Sequence, residues 1–165
     1  LHGEHAPLVL AGVEYLIPIY REANSYPSLL TRDYVQGNPE ERSGEELHDA
    51  AWEFVRPLFE RRREKAVDDF HTMEPRGQAT DDLAQVVRSA HHGRVDTLWV
   101  RRGEQVWGSF DTATSEITID TEPAPETYDL LDDAALAVLE KGGTVYVVSA
   151  DEMPGGSKAA ALLRH

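Results

Sequence analysis

The sequence contains no cysteine, which excludes disulfides, zinc–thiolate sites and cysteine nucleophiles. It also lacks long apolar runs. The longest, around Leu8–Val13 and Val145–Val148, fall far short of the roughly 20 residues needed to span a bilayer. Positive charge is scarce: 16 Lys and Arg stand against 30 Asp and Glu, a net charge of −14. Proteins that bind nucleic acid without sequence preference, or that lie on anionic lipid, gain affinity from clustered Lys and Arg, so this balance argues against both. What is present is core material. Hydrophobic residues make up 41% and charged residues 28%, too apolar for a disordered chain. The 165 residues are room for one domain, or one domain and a piece of another. No signal peptide is visible. The chain starts at Leu1 rather than Met, so it reads as a fragment of a longer protein, with the cytoplasm as the default location.

The acidic excess is uneven. Residues 1–42 and 43–79 each carry −3, while residues 80–165 carry −8. The first piece opens with Leu8-Val9-Leu10, fit for a buried strand, and Ala11-Gly12 as a turn. A helix-like segment follows from Val13 to Asn24, with Leu16, Ile17 and Tyr20 on one face and Pro18 limiting its regularity. One strand and one helix cannot bury a core alone, so this piece reads as the closing edge of an upstream domain. Residues 25–42, with Tyr26-Pro27 and Gly37-Asn38-Pro39, read as a linker.

Ser43 and Glu46 form a capping box that opens a long helix. Its apolar face (Leu47, Ala50, Ala51, Phe54, Leu58, Val67, Phe70) persists to about His71, with Pro57 inside it. Arg61-Arg62-Arg63-Glu64-Lys65, flanked by Glu60, Asp68 and Asp69, reads as a solvated helix face with local ion pairs; an RNA or partner contact is the sharper alternative. After a break at Met73–Gln78, Thr80-Asp81-Asp82 starts a helix with apolar positions Leu83, Val86, Val87 and Ala90, ended by Gly93. Strands are predicted at Val95–Arg101, Gln105–Phe110 and Glu116–Thr121. A second amphipathic helix spans Asp129–Lys141, followed by a buried strand at Thr144–Ser149, a loop at Asp151–Lys158 and a last strand at Ala159–Arg164. From residue 80 the order is αβββαββ, a small α/β sandwich.

Residues with chemical potential are few. His2-Gly3-Glu4-His5 could place two imidazoles and a carboxylate near a metal, but at the frayed start of the chain. His91-His92 read as cations at a helix C-terminus. His48-Asp49 has no second ligand four residues on, and no Gly-x-Ser-x-Gly elbow frames a serine. Gly155-Gly156-Ser157-Lys158 has the composition of a phosphate loop without its glycine spacing, and a strand rather than a helix follows. Asp81-Asp82 and Asp132-Asp133 are consecutive, so neither pair makes a dyad. Trp99 and Trp107 are expected on adjacent strands of a hairpin, as core packing or as an aromatic patch.

Four segments, in order, carry a resemblance. Pro7-Leu8-Val9-Leu10-Ala11-Gly12 resembles the end of the central domain of the archaeo-eukaryotic peptide-chain release factors. Val95-Asp96-Thr97-Leu98-Trp99-Val100, followed by Val106-Trp107-Gly108, resembles the first hairpin of their C-terminal domain. Gly143-Thr144-Val145-Tyr146-Val147-Val148 resembles its later core strand. Pro154-Gly155-Gly156, through Ala159-Ala160-Ala161-Leu162-Leu163-Arg164-His165, resembles the glycine loop and closing strand of the release factor and Pelota C-terminal domains. Together they resemble the bacterial branch of that family over nearly the whole chain. The resemblance implies the α/β/α fold also used by kink-turn RNA-binding ribosomal proteins, here preceded by a long helix and the edge of a truncated domain.

It further implies that the Gly-Gly-Gln motif of peptidyl-tRNA hydrolysis lies upstream of Leu1. Gly77-Gln78, after Arg76, matches neither the motif nor its position, so no catalytic residue, metal or cofactor is expected here. The expected function is protein docking linked to translation termination or ribosome rescue. Arg101, Arg102, Trp107, Pro154, Gly155, Gly156 and Lys158 are the candidate surface, and a ribosome-associated or basic-faced protein is the candidate partner. Two alternatives stand beside it. One is an RNA-binding module of the kink-turn fold, with Arg88, Arg94, Arg101 and Arg102 as its local basic cluster; the other is part of a hydrolase whose active site lies upstream.

Overall fold

The structure, a computed structural model, describes residues 6–164 and divides into two compact units, Leu1–Glu64 and Lys65–His165. The four residues of the His2-Gly3-Glu4-His5 reading lie outside the described residues.

In the first unit, strand β1 (Leu8–Gly12) leads through a single 3-10 turn into helix α1 (Ile17–Ala23), which is followed by strand β2 (Leu29–Gln36). Ala11-Gly12 are not a turn; they pair in register with Val35 and Gln36 of β2, parallel to β1. Pro18 sits in the first turn of α1, where its missing N–H costs nothing. Of the expected apolar face only Ile17 is buried, while Leu16 and Tyr20 are exposed. The core of this unit is small: Leu10, Ile17 and Leu29, with Leu8 and Tyr34 against them. Residues 25–42 are therefore no simple linker, since eight of them form β2. Helix α2 (Gly44–Met73) opens as predicted, with the Ser43 N–H donating to Glu46 Oε2 at 2.8 Å and the Glu46 N–H donating to Ser43 Oγ at 3.2 Å. Pro57 lies within it, and the unit boundary falls between its residues 64 and 65.

The second unit holds β3 (Ala79–Thr80), α3 (Leu83–His91), β4 (Val95–Arg101), β5 (Trp107–Asp111), β6 (Glu116–Ile119), β7 (Tyr128–Asp129), α4 (Leu130–Glu140), β8 (Thr144–Val148) and β9 (Ala159–Leu163). The predicted αβββαββ order is present, with two two-residue strands, β3 and β7, added to it. Asp82 precedes α3 as its N-cap, accepting from the Gln85 N–H at 2.8 Å, and Asp129 caps α4 through the Leu131 N–H at 3.0 Å.

Four strands form one sheet in the order β3-β9-β4-β8, with β8 parallel to β4 and β9 antiparallel to it. Strand alternation splits their side chains between two cores. Leu98 and Val100 of β4, Ala159, Ala161 and Leu163 of β9, and Val145 of β8 face Val86, Val87 and Ala90 of α3 and Leu130, Leu131, Ala134 and Val138 of α4. Burying each of the fully buried Val and Leu side chains among them stabilises the fold by roughly 1.5–3 kcal/mol. On the other face Trp99, Ala160, Val148 and Tyr146 meet Ala66, Val67, Phe70 and Met73. The result is an α/β/α sandwich. The unbroken apolar run of β9, Ala159–Leu163, reflects its central place, buried on both faces.

Two expectations are corrected. Strand β8 is an edge strand in which only Val148 is buried. The predicted hairpin of β4 and β5 does not form: β5 lies in a separate three-stranded sheet, β6-β5-β7. Trp99 is fully buried, 5.9 Å edge-on to Phe70, whereas Trp107 is half-buried opposite Asp129.

Candidate interaction surface

At one end of the four-stranded sheet, where β4 stops and β9 begins, the turn 102–105 lies beside the loop before β9. Backbone bonds fix this junction: the Arg101 N–H donates to the Lys158 carbonyl at 2.9 Å, and the Arg102 N–H to the Val148 carbonyl at 2.7 Å. Gly103 takes a left-handed φ of 77°, which turns the chain back so that the Glu104 N–H reaches the Arg101 carbonyl. Glu104 then collects two of the predicted cations. Lys158 Nζ lies 2.9 Å from Glu104 Oε2 and Arg101 Nε 3.9 Å from Oε1, while Lys158 Nζ also donates to the Gln105 carbonyl at 3.5 Å. The hydrogen bond and charge of Lys158, with help from Arg101, hold the Glu104 carboxyl below its ordinary range. Arg102 is exposed and has no ion pair among the described residues.

The glycine loop is already occupied by a carboxylate of the same chain. Asp81 Oδ2 accepts from the Gly156 N–H at 3.4 Å and from Ser157 Oγ at 3.3 Å. Gly155 has φ 82°, and a Cβ there would lie 2.8 Å from Asp81 Oδ2. Asp81 thus stands where an anion would sit in a phosphate loop, and β9 follows directly.

Of the seven candidate residues, Arg101, Arg102, Lys158, Gly155 and Gly156 belong to these two neighbouring segments. Pro154 is fully buried among the residues beneath the loop and offers no surface. Trp107 belongs to the other sheet. The sequence gives no hint of Glu104 and Asp81 as organisers, because their partners are 54 and 75 positions away.

The remaining sequence candidates separate. Arg94 and Arg101 flank β4 at opposite ends, about 20 Å apart at the usual rise per residue, and Arg88 Nε donates to the Ser115 carbonyl at 3.0 Å. The four arginines of the RNA-binding alternative therefore do not form one cluster. His91 does not cap its own helix: its Nε2 lies 2.6 Å from Asp133 Oδ2 on α4, with the ring stacked 4.3 Å from Phe110. On α2, Glu60 and Glu53 pair with Arg56, and Asp69 pairs with Lys65, leaving the Arg61 and Arg62 guanidiniums without ion pairs among the described residues. Among the described residues no group of three or more His, Asp or Glu is placed to hold a metal, and no helix is long and apolar enough to cross a membrane.

The second unit is thus an α/β/α domain similar in fold to release factor C-terminal domains. The C-terminal domain of a peptide chain release factor from Methanosarcina mazei matches with a TM-score of 0.53 at 20% identity, covering 73% of this chain and 92% of that one. Ribosome-bound archaeal Pelota, solved with ABCE1, matches with a TM-score of 0.50 at 20% identity; the match covers 95% of this chain and 43% of the other. At these identities the likeness is one of fold. The sequence model of bacterial archaeo-eukaryotic release factor family 3 matches residues 1–94, more than half of the chain, and the chain belongs to that family. No curated protein matches it in sequence.

Proposed function

We propose that this chain is the C-terminal, partner-docking part of a release-factor-like protein that acts in translation termination or ribosome rescue in the cytoplasm. The observation that carries this reading is the conjunction of family and fold: the family model covers the first 94 residues, and the likeness to a release factor C-terminal domain spans 92% of that domain. Residues 1–42 are then the end of a central domain, 43–79 the connecting helix and 80–165 the docking domain. Peptidyl-tRNA hydrolysis, where the whole protein carries it out, belongs to residues outside this chain.

The docking surface is the turn 102–105 with the loop 155–158. Two features support it. The turn and loop are cross-braced by Glu104, so the surface is held in shape before a partner arrives. Arg102 projects an unpaired guanidinium from an otherwise acidic domain, a ready anchor of the kind that dominates interface energetics. The acidic remainder favours a partner with a basic face that sets an anionic group opposite Arg102. Co-sedimentation of the protein with ribosomes on sucrose gradients tests the assignment, using growing and starved cells. Recovery in the ribosomal fractions is expected in at least one state; absence from them in both would remove the translational reading.

A further inference from the structure

We propose that the groove between β2 and the middle of α2 binds phosphodiester groups of RNA. The groove encloses about 400 Å³ and is lined by residues of the first unit alone. Three arginines converge on it: Arg32 from β2, and Arg61 and Arg62 from α2. Their placement follows from local geometry. Arg61 and Arg62 stand three and four positions after Leu58, so all three side chains fall on one helix face. Arg32 lies in the exposed stretch Thr31-Arg32-Asp33 of β2, where the register against β1 shifts, and Ser28 directly precedes the strand.

These arginines carry no neutralising partner among the described residues. Arg56 lies 3.2 Å from Glu53 and 4.0 Å from Glu60, Lys65 pairs with Asp69, and Arg101 and Lys158 share Glu104. Acids outnumber bases almost two to one in this chain, yet the guanidiniums of Arg32, Arg61 and Arg62 have no hydrogen bond or ion pair among the described residues. Among the described residues Asp33 is the one carboxylate on the groove wall. The sign of the local charge is therefore reversed against a net charge of −14.

The wall chemistry favours a nucleotide chain over an isolated anion. Guanidinium forks match phosphate oxygens bidentately and stack on exposed bases. Leu30 and Leu58 supply apolar surface beside them, and Ser28 and Thr31 supply hydroxyls that reach a phosphate or ribose oxygen. Choosing RNA as the polyanion rests on the proposed link to translation; the phosphate chemistry does not. The groove and the Arg102 surface belong to different units, so each can fail without the other.

The test is fluorescence anisotropy of the 165-residue chain with a fluorescein-labelled, 12-nucleotide single-stranded RNA of mixed sequence, titrated at 25 to 200 mM salt. Three neutralised phosphates give a log–log salt slope of about −2. Replacing Arg61 and Arg62 together by Gln is expected to weaken binding at least tenfold and to bring the slope to about −0.7. Both side chains are exposed, so an unchanged circular dichroism melt should accompany the loss. Arg94→Gln, at an arginine of the other unit that has no ion pair among the described residues, should leave binding as it is. Polyglutamate of matched length should displace the RNA poorly. The proposal is overturned by no binding at 25 mM salt, by undiminished binding in R61Q/R62Q, or by equal displacement with polyglutamate, which would mark the groove as a site for an acidic peptide.

Discussion

His91 on α3 and Asp133 on α4 meet at 2.6 Å between Nε2 and Oδ2, and this contact ties together the two helices that cover one face of the sheet. Both side chains are largely shielded, and the imidazole is stacked on Phe110. Asp133→Ala leaves the ring nitrogen without its partner and is expected to destabilise the domain by about 1–2 kcal/mol. Asp133→Asn keeps an acceptor at the same place and should recover most of that loss. Urea unfolding followed by fluorescence measures both; a loss near zero for Asp133→Ala would show that the hydrogen bond contributes little.

Trp99 is the largest fully buried side chain and Phe70 closes over it edge-on at 5.9 Å. Truncating either to Ala should cost about 3–5 kcal/mol. The indole Nε1–H of Trp99 is buried without a hydrogen-bond partner among the described residues. Trp99→Phe removes that unsatisfied donor along with some volume, so it should be far milder than Trp99→Ala. A cost for Trp99→Phe as large as for the alanine variant would mean that the donor is satisfied in solution.

Much of this architecture is legible in the sequence because it rests on local signals. The capping box Ser43–Glu46 marks the start of α2, the Leu83/Val86/Val87/Ala90 spacing marks α3, and Gly93 and Gly142, both at positive φ, stop their helices. Strand β2 is hidden because Thr31-Arg32-Asp33 interrupts its apolar pattern and only Leu29 and Val35 are buried. The pairing of β5 is hidden too, since a short Arg102-Gly103 turn promises a hairpin while Gly108 is committed elsewhere. A Cβ at Gly108 would collide with the Thr118 carbonyl, which shows how tightly β5 lies on β6. The candidate surface was half visible. Arg101 and Lys158 can be picked out for their charge, but Glu104 and Asp81 act through partners distant in sequence, and Pro154 is buried by tertiary packing that no local pattern announces.

Gly155→Ala forces a side chain onto a left-handed backbone and into the Asp81 carboxylate, 2.8 Å from the new Cβ. The backbone term alone is about 1–2 kcal/mol. Combining it with Asp81→Ala removes the collision but also the bonds to Gly156 and Ser157. The double variant is therefore expected to be more stable than the sum of the single losses. Strict additivity in a double-mutant cycle would place Asp81 outside the loop's packing.

Glu104 links stability to pH. Lys158 chiefly, and Arg101 with it, lowers the carboxyl below its ordinary value of 4.5 in the folded state. The folded chain thus binds this proton less readily than the unfolded chain does. Its contribution is present above the unfolded value and is lost as pH falls through the folded one. Glu104→Gln should reduce stability near pH 7, and the gap to the parent should close as the pH drops below 4.5. Urea midpoints at stepped pH measure this, and a gap that stays constant to pH 3 would exclude the linkage.

The claim that Arg102 and its neighbours form a docking surface is tested most directly by ribosome-binding titrations of three proteins: the parent, Arg102→Glu, and the groove variant R61Q/R62Q. Reversing a central unpaired charge at an interface is expected to weaken association at least tenfold. The account predicts that loss for Arg102→Glu, with the second unit's melting temperature unchanged because the side chain is exposed. Binding by Arg102→Glu as tight as by the parent would contradict it, and place the partner on another face of the domain.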